Sequence, residues 1–186
     1  MNWVEFGKQT ILDPRAAGAQ LVRMHLPRDA GWSLLALLAI LNGILYWALL
    51  PAEFLTAPLD GPVALTLVVG VALLLSSATL TLAGRMLGGQ GDFDTLLRVT
   101  IWLQVLRLVA QIGVSLLSLA LPPLAALASF AVGVWGLYIV TCLVTEAHGF
   151  SSLLRGLAVI GLSFIAAVMF LAVLLTLVGV TPQGTI

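Results

Sequence analysis

Long apolar runs, separated by short polar or glycine- and proline-rich stretches, dominate the chain. A helix needs about 20 mostly apolar residues to cross a bilayer. Five runs meet that length, approximately Trp32–Leu50, Pro62–Leu87, Thr95–Leu121, Pro123–Glu146 and Ser152–Val180. Their separators are turn-forming. Pro51 and Pro58 follow the first run, Gly88-Gly89-Gln90-Gly91-Asp92 ends the second, and Pro122-Pro123 joins the third to the fourth. Gly149 with Ser151 and Ser152 separates the fourth from the fifth. Proline fits the first helical turn but not the interior, and glycine takes the left-handed conformation that closes helices. The pattern predicts an all-α fold, a polytopic membrane bundle of five transmembrane helices.

Residues 1–31 follow a different pattern. Asp13 before Pro14 is an N-cap followed by a first helical position. From there Ala17, Leu21 and Met24 recur at helical spacing, and Pro27 stops the helix. Arg15, Gln20 and Arg23 fall largely on the other face. A basic amphipathic helix beside a span commonly lies in the headgroup plane. The expected organisation is therefore a cytoplasmic amphipathic segment over residues 1–31, a membrane domain over 32–180 and a short outside tail over 181–186. Glu5, Lys8, Asp13 and Arg15 interrupt the stretch where a secretory signal would place its apolar core, so the segment is expected to be retained.

Composition supports lipid as the solvent. The chain of 186 residues is 61% hydrophobic and only 9% charged, too few charges to cover a water-soluble surface. Net charge is zero, so nothing points to nucleic acid. Cys142 is the only cysteine, which excludes an internal disulfide and a cysteine-based zinc site. Charge also sets a direction. Lys8, Arg15, Arg23 and Arg28 precede the first run, Arg85 and Arg98 flank the glycine loop, and Arg155 follows His148. Glu53 and Asp60 are the charges of the first outer loop. Every Lys and Arg except Arg107 then falls on or near one side, which predicts a cytoplasmic N-terminus and an outside C-terminus.

Chemistry is sparse. Gly89-Gln90-Gly91-Asp92 has the G-x-G-D spelling of intramembrane aspartyl proteases, but no span carries the partner aspartate that such a site needs. The glycine run lacks the Gly-Lys-Ser/Thr ending of a phosphate-binding loop. His25 and His148 lack partners at ligand spacing. No catalytic residue, cofactor or metal is expected, and the protein is read as no enzyme.

One feature exceeds background. Thr100, Gln104, Arg107, Gln111, Ser115 and Ser118 recur at intervals of four, three, four, four and three, along one face of the third span. A polar stripe in lipid should face other helices, and a mid-membrane arginine costs a few kcal/mol unless paired. Arg107 is expected to point into the bundle and to contact the second or the fourth span. Arg98 and Glu146, at the inner ends of adjacent spans, are a candidate ion pair.

Three segments resemble the Yip family of Ypt/Rab-interacting proteins, in its bacterial form. They are Leu12-Asp13-Pro14-Arg15-Ala16-Ala17 with Leu26-Pro27-Arg28, then Gly84-Arg85-Met86-Leu87-Gly88-Gly89-Gln90-Gly91, then Glu146-Ala147-His148-Gly149-Phe150-Ser151. The resemblance implies five spans, a cytoplasmic N-terminus and loop motifs at Gly88, Gly89, Gly91, His148, Gly149 and Ser151. With it, the sequence reads as a non-enzymatic integral protein of a bacterial cytoplasmic (inner) membrane. Such a protein would organise membrane or bind partner proteins and lipids, including further copies of itself. The alternative is a small transporter or channel using the stripe around Arg107.

Overall fold

Seven α-helices make up the secondary structure of the computed structural model, which describes residues 2–24, 26–50 and 61–177. They are α1 Trp3–Leu12, α2 Pro14–Arg23, α3 Arg28–Leu49, α4 Pro62–Met86, α5 Phe93–Ala120, α6 Pro122–His148 and α7 Leu153–Leu177. The five from α3 onward are long and apolar enough to span a bilayer. The Pro51–Asp60 loop with Glu53 and Asp60, His25, the end of the expected fifth span and the tail 181–186 lie outside the described residues.

The ends of the helices follow capping more than hydropathy. α3 begins at Arg28, four residues before the apolar run, because Pro27 is extended and sets the start. α5 begins at Phe93, where the Asp92 side chain accepts the Thr95 N–H at 2.9 Å. α6 continues to His148. Its end closes with the Gly149 N–H on the Glu146 carbonyl at 3.1 Å and the Phe150 N–H on the Thr145 carbonyl at 3.0 Å. α4 ends the same way, through Gly88 on Arg85 at 3.1 Å and Gly89 on Gly84 at 2.8 Å. Both are Schellman closures, which place a left-handed residue just past the helix. Gly88 has φ 84° and Gly149 has φ 69°, a region that glycine enters without penalty.

α4 touches each of the other long helices. The buried residues gather at one end of the bundle, where α4 and α6 finish and α5 and α7 begin; we call it the loop end. One core joins Leu80, Leu96, Val99, Leu143, Val144 and Val159 there. A second joins Leu35, Leu38, Val69, Leu73, Leu97 and Ile101 between α3, α4 and α5. Toward the other end Leu116, Leu119, Leu127 and Phe130 are exposed, an apolar surface suited to acyl chains.

The N-terminal segment holds one helix more than expected. It is two short helices that precede the first long one. Asn2 caps α1 by accepting the Val4 N–H at 3.1 Å, and Asp13 caps α2 by accepting the Ala16 N–H at 3.1 Å. The helical hairpin packs on α5 and α6, with Phe6, Ala17 and Leu21 in the main core. Thr10, fully buried, accepts the Trp102 indole N–H at 3.1 Å, and the Ile11 carbonyl accepts that of Trp135 at 3.0 Å. Further along, Gly18 of α2 packs against Leu143 and Glu146. Contacts on α2 and α6 thus advance together, so the two run parallel. Trp135 lies thirteen residues before His148, so the tip of the hairpin reaches roughly 20 Å from the loop end at 1.5 Å per residue.

Candidate functional site

The stripe of α5 passes from the packed interior to the side of the bundle. Thr100 is buried and accepts the Ser77 hydroxyl of α4 at 3.1 Å. Gln104 is buried too, and its Oε1 accepts the Arg107 Nε–H at 3.1 Å while its Nε2 has no hydrogen-bond partner. Gln111 and Ser115 are half-buried, and Ser118 is exposed and donates to the Ser115 carbonyl at 2.7 Å. Ser77 and Thr100 bond each other inside the core, and neither of the two cavities is lined by a stripe residue. Transport along the stripe therefore finds no support.

Arg107, midway along α5, meets α3. Its Nη1 donates to the Tyr46 hydroxyl at 2.6 Å and its Nη2 to the Asn42 Oδ1 at 2.8 Å, with the guanidinium carbon 5.7 Å from the Tyr46 ring centre. The expectation of the second or fourth span was wrong about the neighbour. α4 takes up the stripe at Thr100, and the helix turns its next polar positions toward α3. Asn42 is completely buried and donates its own amide to the Leu38 carbonyl at 2.8 Å, which aims its oxygen at Arg107. Asn42 and Tyr46 are four apart, one turn of α3, and so form one receptor face. Arg107 as a whole stays exposed on the flank of the bundle, with its Nη1 bond at the surface and those of Nε and Nη2 part-buried.

The expected Arg98–Glu146 ion pair is not formed. Arg98 Nη2 donates to the Thr95 hydroxyl at 2.8 Å, and its Nε is buried without a partner. Glu146 packs on Gly18, while Arg98 shares a cavity with Leu21 and Met24. Both side chains thus meet α2, which the sequence reading did not place there. The ion pair at this end is Arg28 with Asp94, at 3.0 Å, tying α3 to α5.

The loop motifs converge on His148, which is 1% exposed. Its Nδ1 accepts the Gly91 N–H and its Nε2 faces the Leu80 carbonyl, each at 3.2 Å. With Nδ1 accepting, the ring proton belongs on Nε2 and is donated to Leu80, the neutral tautomer. The His148 carbonyl accepts the Gln90 N–H at 3.1 Å, and the Arg85 Nε–H reaches the Gly91 carbonyl at 3.3 Å. Phe150 stacks on the ring, 5.4 Å between centres. Gly84, Gly89 and Gly91 line the socket, and a Cβ on any of them would collide with the imidazole. The glycines serve close approach, and the histidine clamps the ends of α4 and α6 together. Both ring nitrogens are occupied, and no group of His, Cys, Asp and Glu able to hold a metal occurs among the described residues. Ser151 is exposed; Ser152 instead caps α7, accepting the Leu154 N–H at 3.3 Å.

The second and third resembling segments therefore meet at the loop end, while the first forms the turn of the hairpin, packed along α6 away from it. The Yip1 domain model matches residues 8–175, from within α1 to the last turns of α7. The chain belongs to the Yip1 family. No curated protein and no solved structure matches it. The Yip1 domain here takes in the end of α1, α2 and nearly all of the five long helices, so the hairpin belongs to the domain and is no appendage.

Proposed function

We propose that this Yip1-domain protein is a non-enzymatic membrane organiser that binds a partner's transmembrane helix at Arg107. What supports the reading is Arg107, exposed on the flank of α5 and α3. Arg107 offers five N–H donors, and three are met by Gln104, Tyr46 and Asn42. Those acceptors are neutral, so they lessen the cost of desolvation without cancelling the charge. Asp29, Asp94 and Glu146 all lie toward the loop end, far along their helices from Arg107. A carboxylate on a partner span, set opposite Arg107, would supply both acceptors and charge. A second copy facing the same flank would bring a second arginine and like-charge repulsion, so the reading favours a different protein. Residence in a bacterial inner membrane is part of the proposal.

A photo-crosslinking residue at Gln111, half-buried and one turn beyond Arg107 on the same face, tests this in native membranes. The expected adduct is to a membrane protein with an Asp or Glu in the crosslinked span. It should persist in Arg107→Lys and disappear in Arg107→Leu. An adduct pattern indifferent to Arg107→Leu, or adducts to lipid alone, would sink the proposal.

A further inference from the structure

Arg98 stands where two cavities meet. The larger, an open cleft of about 240 Å³, is lined by Trp3 of α1, Leu21 of α2 and Met24 just beyond it, Leu34 of α3, and Trp102 and Val105 of α5. The smaller, about 40 Å³, is bounded by Pro27, Arg28, Trp32 and Asp94. Leu26, Arg98 and Ile101 line both. Among the described residues that line the larger cavity, Arg98 is the only charged one. An apolar space of this size stays dry and invites an apolar guest. Among the described residues no carboxylate forms an ion pair with Arg98, although Asp92 lies near enough to feel its charge. Arg28 is already joined to Asp94, whereas Arg98 bonds only the neutral Thr95 and keeps a buried Nε–H without an acceptor. A buried donor without a partner carries its full desolvation cost. The indoles of Trp3, Trp32 and Trp102 around the two spaces are the rings that favour the headgroup level of a bilayer.

We infer that this junction binds an anionic phospholipid of the surrounding membrane. Its phosphodiester meets Arg98, and one acyl chain enters the cavity between the N-terminal hairpin, α3 and α5. The cation supplies the preference for net negative headgroups, and the apolar walls supply the chain site. This site lies on another part of α5 from Arg107 and does not depend on the proposed partner.

The full chain, purified in detergent, is equilibrated with vesicles of equal phosphatidylglycerol and phosphatidylcholine carrying the same acyl chains. Lipids retained are counted by native mass spectrometry. Wild type should retain phosphatidylglycerol in excess. Arg98→Gln should cut the phosphatidylglycerol-to-phosphatidylcholine ratio about fivefold, the worth of one basic residue near an anionic surface. Arg98→Lys should keep most of the preference. Leu34→Phe, which fills the cavity and spares the cation, should lower retention of both lipids. Excess inorganic phosphate should not displace the lipid. An unchanged ratio in Arg98→Gln, unchanged retention in Leu34→Phe, or full displacement by inorganic phosphate would each overturn the assignment, the last in favour of a free-anion site.

Discussion

At the scale of single residues, the loop end depends on atoms that are missing. Gly84 has no Cβ because the His148 ring occupies that space. Gly84→Ala is expected to destabilise the protein by about 1–3 kcal/mol, the usual cost of overpacking. Combining it with His148→Ala should cost less than the sum of the two single changes, because the collision is removed. Thermal unfolding of the four proteins in one detergent measures this. Asp92 makes a pH prediction. The Thr95 hydroxyl holds its carboxyl below the usual carboxylate range against burial, the next effect in size, with the Thr95 N–H and Arg98 adding to the lowering. A depressed folded value means that the contribution is complete above the unfolded value of about 3.9 and fades as pH falls through the folded one. The carboxylate is largely solvated, so Asp92→Ala should cost only about 0.5–1 kcal/mol at neutral pH. Its stability difference from wild type should shrink on acidification below pH about 4; a difference constant with pH would refute the charged cap.

At the scale of helices, legibility divided by the range of the signal. The five long helices were plain in the sequence because lipid demands contiguous apolar residues. The Asp13–Pro14 cap and the Gly149 closure were plain because capping is local. α1 leaves little mark in the sequence, since ten residues with Glu5 and Lys8 among them show weak periodicity. Its site on Trp102 could not be read at all, for nothing near Thr10 in sequence marks a partner on α5. The same limit misled the Arg98–Glu146 pairing, which was drawn without α2 between the two. The spacing of four between Asn42 and Tyr46 was the available sign in the sequence that both serve Arg107. The hairpin has a direct test. Thr10→Val removes the acceptor of a buried indole N–H and should cost about 1–3 kcal/mol. Hydrogen exchange in the peptides covering α1 should rise well before that of α4. Equal protection in variant and wild type would mean that α1 is held by other contacts.

For the molecule as a whole, five membrane-length helices predict that the segments before α3 and after α7 lie on opposite faces of a bilayer. The basic residues around the loop end predict that this end faces the cytoplasm. Reporter fusions within the glycine loop and after Thr181 should therefore report opposite sides, and the same side for both would break the five-span topology. The number of long apolar helices was legible because contiguous apolar length is a property of the chain alone. The position of Arg107 was legible as a cost and not as a contact. The stripe showed that a charge sits at depth, while its choice of α3 depends on how α5 is rotated in the bundle.

The docked hairpin also fixes an order in time. Thr10 finds Trp102 across 92 positions, and Ile11 finds Trp135 across 124. Synthesis at about 5–20 residues per second separates Ile11 from its partner by roughly 6–25 s. The first residues to leave the ribosome are thus among the last to reach their native place. Until α5 and α6 are inserted, α1 and α2 have no protein surface to cover them, and the membrane interface is the natural refuge for their apolar face. The closing event in the biogenesis of this bundle is the return of its own beginning.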